Sequence, residues 1–496
     1  MRRVAPQSEP RTRPRPSVAP GELAFLDATA QAELVRRREL SPRELVRAAI
    51  ERVERIDPGL GSVVIRLFDE ACSASRVRTL PPGPFPGVPF LMKDVGAVQG
   101  GQPYFAGNRA LRDAGYHTPT DSYLGARFRN AGFVAVGKSK VPEFGLQTTT
   151  QPLAFGPTRN PWDLERSPGG SSGGACAAVA AGLVPLAHAN DGAGSIRIPA
   201  AWCGLVGLKP SRGRVALEPT TIGRSIVGFA VTRSLRDAAA LLDAVQGSEP
   251  GDLFRLAPPA RPYVDEMRTA PRRLRVGVLA RSPGGDPVHP ECAAAVRSAA
   301  ELLESLGHRV EESWPAALFE EERALRRLGF GMLEYRLCLR ALARMLGRPV
   351  TQEDVEPYLW TLAQLDGPPV AAEDHLEAEE WEQGWAVRVA SWWARGFDLL
   401  VTPTVCEPAP PLAELDPTRK SPFALLTRMA PHMAFTEPFN VTGHAALSLP
   451  LHWTADGLPV GVQLVARVGR EDLLFQVGAQ LEQARPWAHR RPPVHA

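Results

Sequence analysis

One lysine and two serines, each set in an unusual local context, stand out as groups able to do covalent chemistry. Lys93, followed by Asp94, comes directly after the apolar run Gly87-Val88-Pro89-Phe90-Leu91-Met92. A strand of that composition carries the lysine into the interior, where it must be paired or lose its proton. The plain alternative is a lysine that snorkels outward or is salt-bridged. The second segment is Gly169-Gly170-Ser171-Ser172-Gly173-Gly174. Its glycines allow backbone geometry that a side chain forbids. A flexible linker has the same composition, but a linker does not run straight into Ala175-Cys176-Ala177-Ala178-Val179-Ala180-Ala181. The third is Asp191-Gly192-Ala193-Gly194-Ser195-Ile196-Arg197. A serine after small residues can expose its Oγ and turn backbone N–H groups toward a developing oxyanion; read alone, the segment is an ordinary turn. Taken together, a buried amine of lowered pKa can serve as the base for a serine nucleophile, with no histidine needed.

The elements around these residues alternate. Ser41-Pro42-Arg43-Glu44 is a capping box with proline at the first helical position, and Leu45, Ala48, Ala49 and Val53 follow at helical spacing. The helix is expected to run to about Asp57-Pro58-Gly59. Short strands are expected at Phe133–Val136, Leu183–Leu186, Leu274–Leu279, His308–Glu311, Phe397–Val401 and Pro459–Val465. Residues 175–182 suit a fully buried helix ended by Gly182. Further helices are expected over Pro290–Leu306 and from Glu471 to about Gln483. Residues 315–395 read as mainly helical and as the region of the substrate pocket. Within them Trp381, Trp385 and Trp392 share one helical face, which suits core packing. Strands alternating with helices mean an α/β fold in one large domain, about residues 21–490. Residues 1–20, with five Arg, one Glu and five Pro, read as a disordered basic arm.

The three segments, in this order, closely resemble the amidase signature family. The likeness extends from about Leu40 to Pro486 through Gly87-Val88-Pro89-Phe90, Phe155-Gly156-Pro157-Thr158-Arg159-Asn160-Pro161, Gly207-Leu208-Lys209-Pro210 and Gly461-Val462-Gln463-Leu464. The resemblance implies a mixed sheet flanked by helices and a Ser-Ser-Lys triad acting through an acyl-enzyme. By position, Lys93 matches the base, Ser171 the bridging serine, which in the family sits on a cis peptide bond, and Ser195 the nucleophile. The backbone N–H groups of Gly192, Ala193, Gly194 and Ser195 match the oxyanion hole, and Asp191 and Arg197 match residues that support the nucleophile loop. The sequence departs from the family at Ala193, where Gly is common, at Gln151, where Glu is common, and at Ala445, where Pro is usual. The phrase His188-Ala189-Asn190-Asp191-Gly192-Ala193-Gly194-Ser195 resembles the branch that contains 6-aminohexanoate cyclic dimer hydrolases.

The implied substrate is a small-molecule amide, linear or cyclic, with Gln147, Thr148, Thr149 and Thr150 as candidate substrate contacts. No cofactor and no metal are expected. Six cysteines lie far apart, with no metal-binding spacing, as suits free thiols in a reducing cytoplasm. Net charge is +3 and the arm alone carries +4, so the body offers nothing to nucleic acid. No apolar stretch is long enough to cross a membrane. A homodimer is expected. The competing function is the amidase-like subunit of a glutamyl-tRNA amidotransferase complex; a non-catalytic scaffold would not need the three reactive residues. A formal phosphate-loop match, Gly132-Phe133-Val134-Ala135-Val136-Gly137-Lys138-Ser139, has its strand inside the motif rather than before it. His188 and Cys203 read as core residues.

Overall fold

Apolar stretches of strand length recur from residue 63 to residue 466, and they pair into one sheet. The computed structural model describes residues 20–76, 81–216, 225–320, 322–365 and 372–496. The expected basic arm lies outside the described residues except for Pro20, which opens the helix Pro20–Leu23. Eleven described strands form the sheet: β1 (Val63–Arg66), β2 (Pro89–Lys93), β3 (Val134–Ser139), β4 (Leu186–Asp191), β5 (Val206–Lys209), β6 (Val227–Thr232), β7 (Arg275–Val278), β8 (Arg309–Glu312), β9 (Leu399–Pro403), β10 (Ala445–Trp453) and β11 (Pro459–Ala466). Their order is β1-β3-β2-β4-β6-β5-β10-β11-β9-β7-β8. The sheet is mixed. β2 runs parallel to both β3 and β4, while β4–β6, β5–β6, β5–β10 and β10–β11 are antiparallel.

Helices cover the sheet. Pro42–Leu60 begins with the expected capping box, the Ser41 hydroxyl accepting from Glu44 N and the Glu44 carboxylate from Ser41 N, and it carries Pro58 in its last turn. Such a cap contributes about 1 kcal/mol. Gly173–Ala180 is buried on every side, because its small residues let neighbouring strands close in. Gly182 follows in a left-handed conformation, φ +78°. Trp385 and Trp392 are core residues, their indole N–H groups donating to Ala317 O at 2.7 Å and Ser313 Oγ at 3.0 Å. Residues 315–395 contain helices Glu322–Leu346, Pro357–Ala363 and Ala372–Ala394.

The strand expected at Leu183–Leu186 begins at Leu186 and continues to Asp191; the apolar start of that run is turn instead. The phosphate-loop match is strand β3 through Lys138 and Ser139, and Lys138 Nζ donates to Pro103 O at 2.6 Å. None of the described helices is long and apolar enough to cross a membrane. The parallel trio β3-β2-β4 decides where the chemistry sits. β2 ends at Lys93 and β4 at Asp191, so both deliver residues to the same sheet edge, where parallel strands commonly hold ligands.

Candidate active site

Lys93 is the last residue of β2 and only 1% exposed. Its Nζ lies 2.8 Å from Ser171 Oγ, 2.8 Å from Ser172 Oγ and 2.5 Å from Asn190 Oδ1. Burial drives its pKa from 10.5 down to about 7, against the pull of the Asp191 carboxylate. The amine is therefore substantially uncharged near neutrality. Its own backbone N–H donates to His188 Nδ1 at 3.0 Å. His188 is buried, as expected of a core residue, and burial, then the Lys93 and Lys138 charges, lower its pKa to about 3. Its Nε2 has no hydrogen-bond partner among the described residues. The neighbouring Asp94 turns away from the amine, and its carboxylate accepts Phe105 N at 3.3 Å.

Ser171 sits in the Gly/Ser segment just before helix Gly173–Ala180, after a cis peptide bond from Gly170. A Cβ at Gly170 would lie 2.6 Å from the carbonyl oxygens of Gln147 and Thr149, so only glycine lets these two segments touch. Thr150 Oγ1 donates to Gly169 O at 2.8 Å, and Thr149 Oγ1 is 3.1 Å from Ser167 Oγ.

The third segment follows β4. Ser195 is half-buried, the most open of the three reactive residues, and its hydroxyl makes no hydrogen bond to any described residue. The Asp191 carboxylate organises the loop beneath it, accepting Gly194 N at 2.7 Å and Ile196 N at 3.2 Å. Arg197, fully buried, donates to Asp191 through Nε and Nη2 at 2.9 Å each, and to Thr436 O, Gln463 Oε1 and Asn440 Oδ1. Burial would raise the Asp191 pKa, but the Arg197 charge and hydrogen bonds override it and hold the carboxyl at about 2. Gly194 has φ +132°, and a Cβ there would meet Thr436 Oγ1 at 2.4 Å. Ala193 is not left-handed, so the departure from glycine at this position costs no strain. The N–H groups of Gly192, Ala193 and Ser195 have no described acceptor, whereas that of Gly194 is already given to Asp191.

Residues 44–475 match the amidase family model. The chain belongs to the amidase family. Two 6-aminohexanoate-cyclic-dimer hydrolases are each 45% identical to this amidase. One, from Pseudomonas sp. (strain NK87), aligns over 94% of this chain and 96% of its own length; the other, from Paenarthrobacter ureafaciens, over the same shares. The solved structure of a 6-aminohexanoate cyclic dimer hydrolase complexed with substrate superposes with a TM-score of 0.91 at 42% identity. It covers 95% of this amidase and 100% of that chain. Its reaction class is therefore the hydrolysis of amide C–N bonds.

The four candidate substrate contacts fare differently. Thr149 and Thr150 are fully buried and spend their hydroxyls inside the protein, Thr149 on Ser167 and Gln151 and Thr150 on Gly169. Thr148 Oγ1 is 2.8 Å from Nδ1 of the buried His432, whose Nε2 is 2.9 Å from Glu407 Oε1. Gln147 keeps an unpartnered Oε1. Nothing local in sequence marks Asn190 or Ser172 as partners of Lys93, or Thr436 and Asn440 as partners of Arg197; Gln463 belongs to the family-like stretch Gly461-Val462-Gln463-Leu464.

Proposed function

We propose that this amidase opens a small, uncharged amide, with the cyclic dimer of 6-aminohexanoate as the substrate of choice, through Lys93, Ser171 and Ser195. The observation that carries this reading is the dry Lys93 amine, 2.8 Å from the Ser171 hydroxyl. Neutral Lys93 takes the Ser171 proton as Ser171 takes that of Ser195. Ser195 Oγ bonds to the amide carbon, and the carbonyl oxygen becomes an oxyanion facing the free N–H groups of Gly192, Ala193 and Ser195. The C–N bond breaks as the proton returns through Ser171 to the departing nitrogen. Water then adds to the acyl carbon by the same relay and releases the acid, restoring Ser195. Asp191 and Arg197 hold the loop in shape.

The substrate proposal rests on likeness to the two relatives over nearly the whole chain. A cyclic dimer of that amino acid has no free ends and no charge, which suits a site whose base must stay neutral. The deciding experiment incubates the purified chain alone with the cyclic dimer and measures release of primary amine. The expected result is ring opening, lost by at least about a thousand-fold in Ser195→Ala and less severely in Ser171→Ala. Full activity in Ser195→Ala would end the mechanism. Turnover of other amides with none of the cyclic dimer would end the substrate reading. Activity without a partner or an ammonia source separates hydrolysis from the amidotransferase alternative.

Six free cysteines, five of them buried, support placement in the cytoplasm. A homodimer is the expected assembly; light scattering tests it.

A further inference from the structure

Three oxygens surround the Lys93 nitrogen, and they are not equivalent. Asn190 Oδ1, at 2.5 Å, is an amide oxygen and can only accept. The orientation of that amide is set by its other end, where Nδ2 donates to Val95 O at 3.4 Å; the reverse placement would put two carbonyl oxygens together. Ser172 Oγ, at 2.8 Å, gives its proton to Asn190 O at 3.4 Å, so toward Lys93 it too accepts. Ser171 Oγ, also at 2.8 Å, has no other described hydrogen bond. A neutral amine has two N–H donors and one lone pair. Two acceptors take the two donors, and the lone pair is left with one direction to face.

We propose that Asn190, with Ser172 beside it, is a positioning residue for the base: the two acceptor oxygens hold both N–H groups of the neutral amine and so aim its lone pair at the Ser171 hydroxyl. Without them the amine could rotate and offer Ser171 an N–H, which cannot take a proton. The Asn190 side chain makes no hydrogen bond to the Asp191 carboxylate or to the oxyanion donors; besides Lys93 it reaches only Val95 O among the described residues. The choice of amide over carboxylate at position 190 follows from the same logic. A carboxylate at 2.5 Å would hold the amine charged and remove the base.

The proposal rests on Lys93 being the base, and Lys93→Met tests that separately: retained activity there would overturn the parent reading whatever position 190 does. For Asn190, the readout is the pH at which kcat/KM rises to its plateau. Asn190→Asp should move that rise upward by about one pH unit or more. Asn190→Leu, which removes the acceptor that favours the charged amine, should move it downward and lower kcat with KM unchanged. Ser172→Ala should shift it the same way as Asn190→Leu and covers the case in which the leucine variant does not fold. A merely structural Asn190 would lower activity without moving the rise. The proposal is overturned if the Asp and Leu variants are folded, less active and titrate as the wild type does.

Discussion

Lys93 can act only when uncharged, so the pH dependence of catalysis is the sharpest consequence of its burial. The fall of its pKa from 10.5 to about 7 corresponds to about 5 kcal/mol at roughly 1.4 kcal/mol per unit. The sign follows from which form works. Above pH 7 most of the amine is free, at pH 6 about one tenth and at pH 5 about one hundredth. The expected profile of kcat/KM therefore rises about tenfold per pH unit and levels off above about 7. The assay is initial-rate hydrolysis across that range in buffers of constant ionic strength. Asp94 and Lys209 are also brought to about 7 by burial, so the rise needs an owner. An amine loses its proton with a large enthalpy and a carboxyl with almost none; warming should move the rise to lower pH, which excludes Asp94. Lys209→Met should leave the rise in place. A profile flat from about pH 5 to 8, or a rise near the ordinary lysine value of about 10, would refute the claim that a neutral, dry amine is the base.

Other perturbations act on the support of the site. Arg197→Met strands the Asp191 carboxylate in a dry interior and should cost about 3–5 kcal/mol in denaturant unfolding, with part recovered by adding Asp191→Asn. Gly194→Ala combines an unfavourable φ with a contact at 2.4 Å to a buried threonine. A loss of about 2–6 kcal/mol is expected in the same measurement, against less than about 1 for Ala193→Gly. Thr148→Val removes the partner of His432 Nδ1 and should cost about 1–3 kcal/mol of stability with KM unchanged; a raised KM would return Thr148 to the substrate.

Local residue chemistry decided more of this protein than long-range contact did in some places and nothing in others. The apolar run into Lys93, the glycines around Ser171 and the small residues before Ser195 are signals within single segments; the strand into Lys93 and the helix after Ser171 formed where expected, while the strand before Ser195 lies later than its apolar run, at Leu186–Asp191. The capping box of Pro42–Leu60 is likewise complete within four residues. Strands β1, β5, β6 and β10 gave no such signal. A short apolar run does not say whether it will be strand or turn until its neighbours in the sheet are known, and β5 and β6 pair with each other while β5 also pairs with β10 from far along the chain. The same holds for hydrogen bonds. Thr149 and Thr150 are candidate substrate contacts by sequence, but folding ties their hydroxyls to Ser167 Oγ and Gly169 O, and Gln151 Nε2 also donates to Thr149 Oγ1. Arg197 announced a need for acceptors, but Thr436, Asn440 and Gln463 reach it only because β11 and the helix Glu437–Val441 with its N-cap Thr436 pack over the nucleophile loop. Residue type sets what a group can donate, accept or titrate. Which group meets it, and whether water is excluded there, is a property of the closed fold, because burial and pairing are made between segments that the chain order keeps apart.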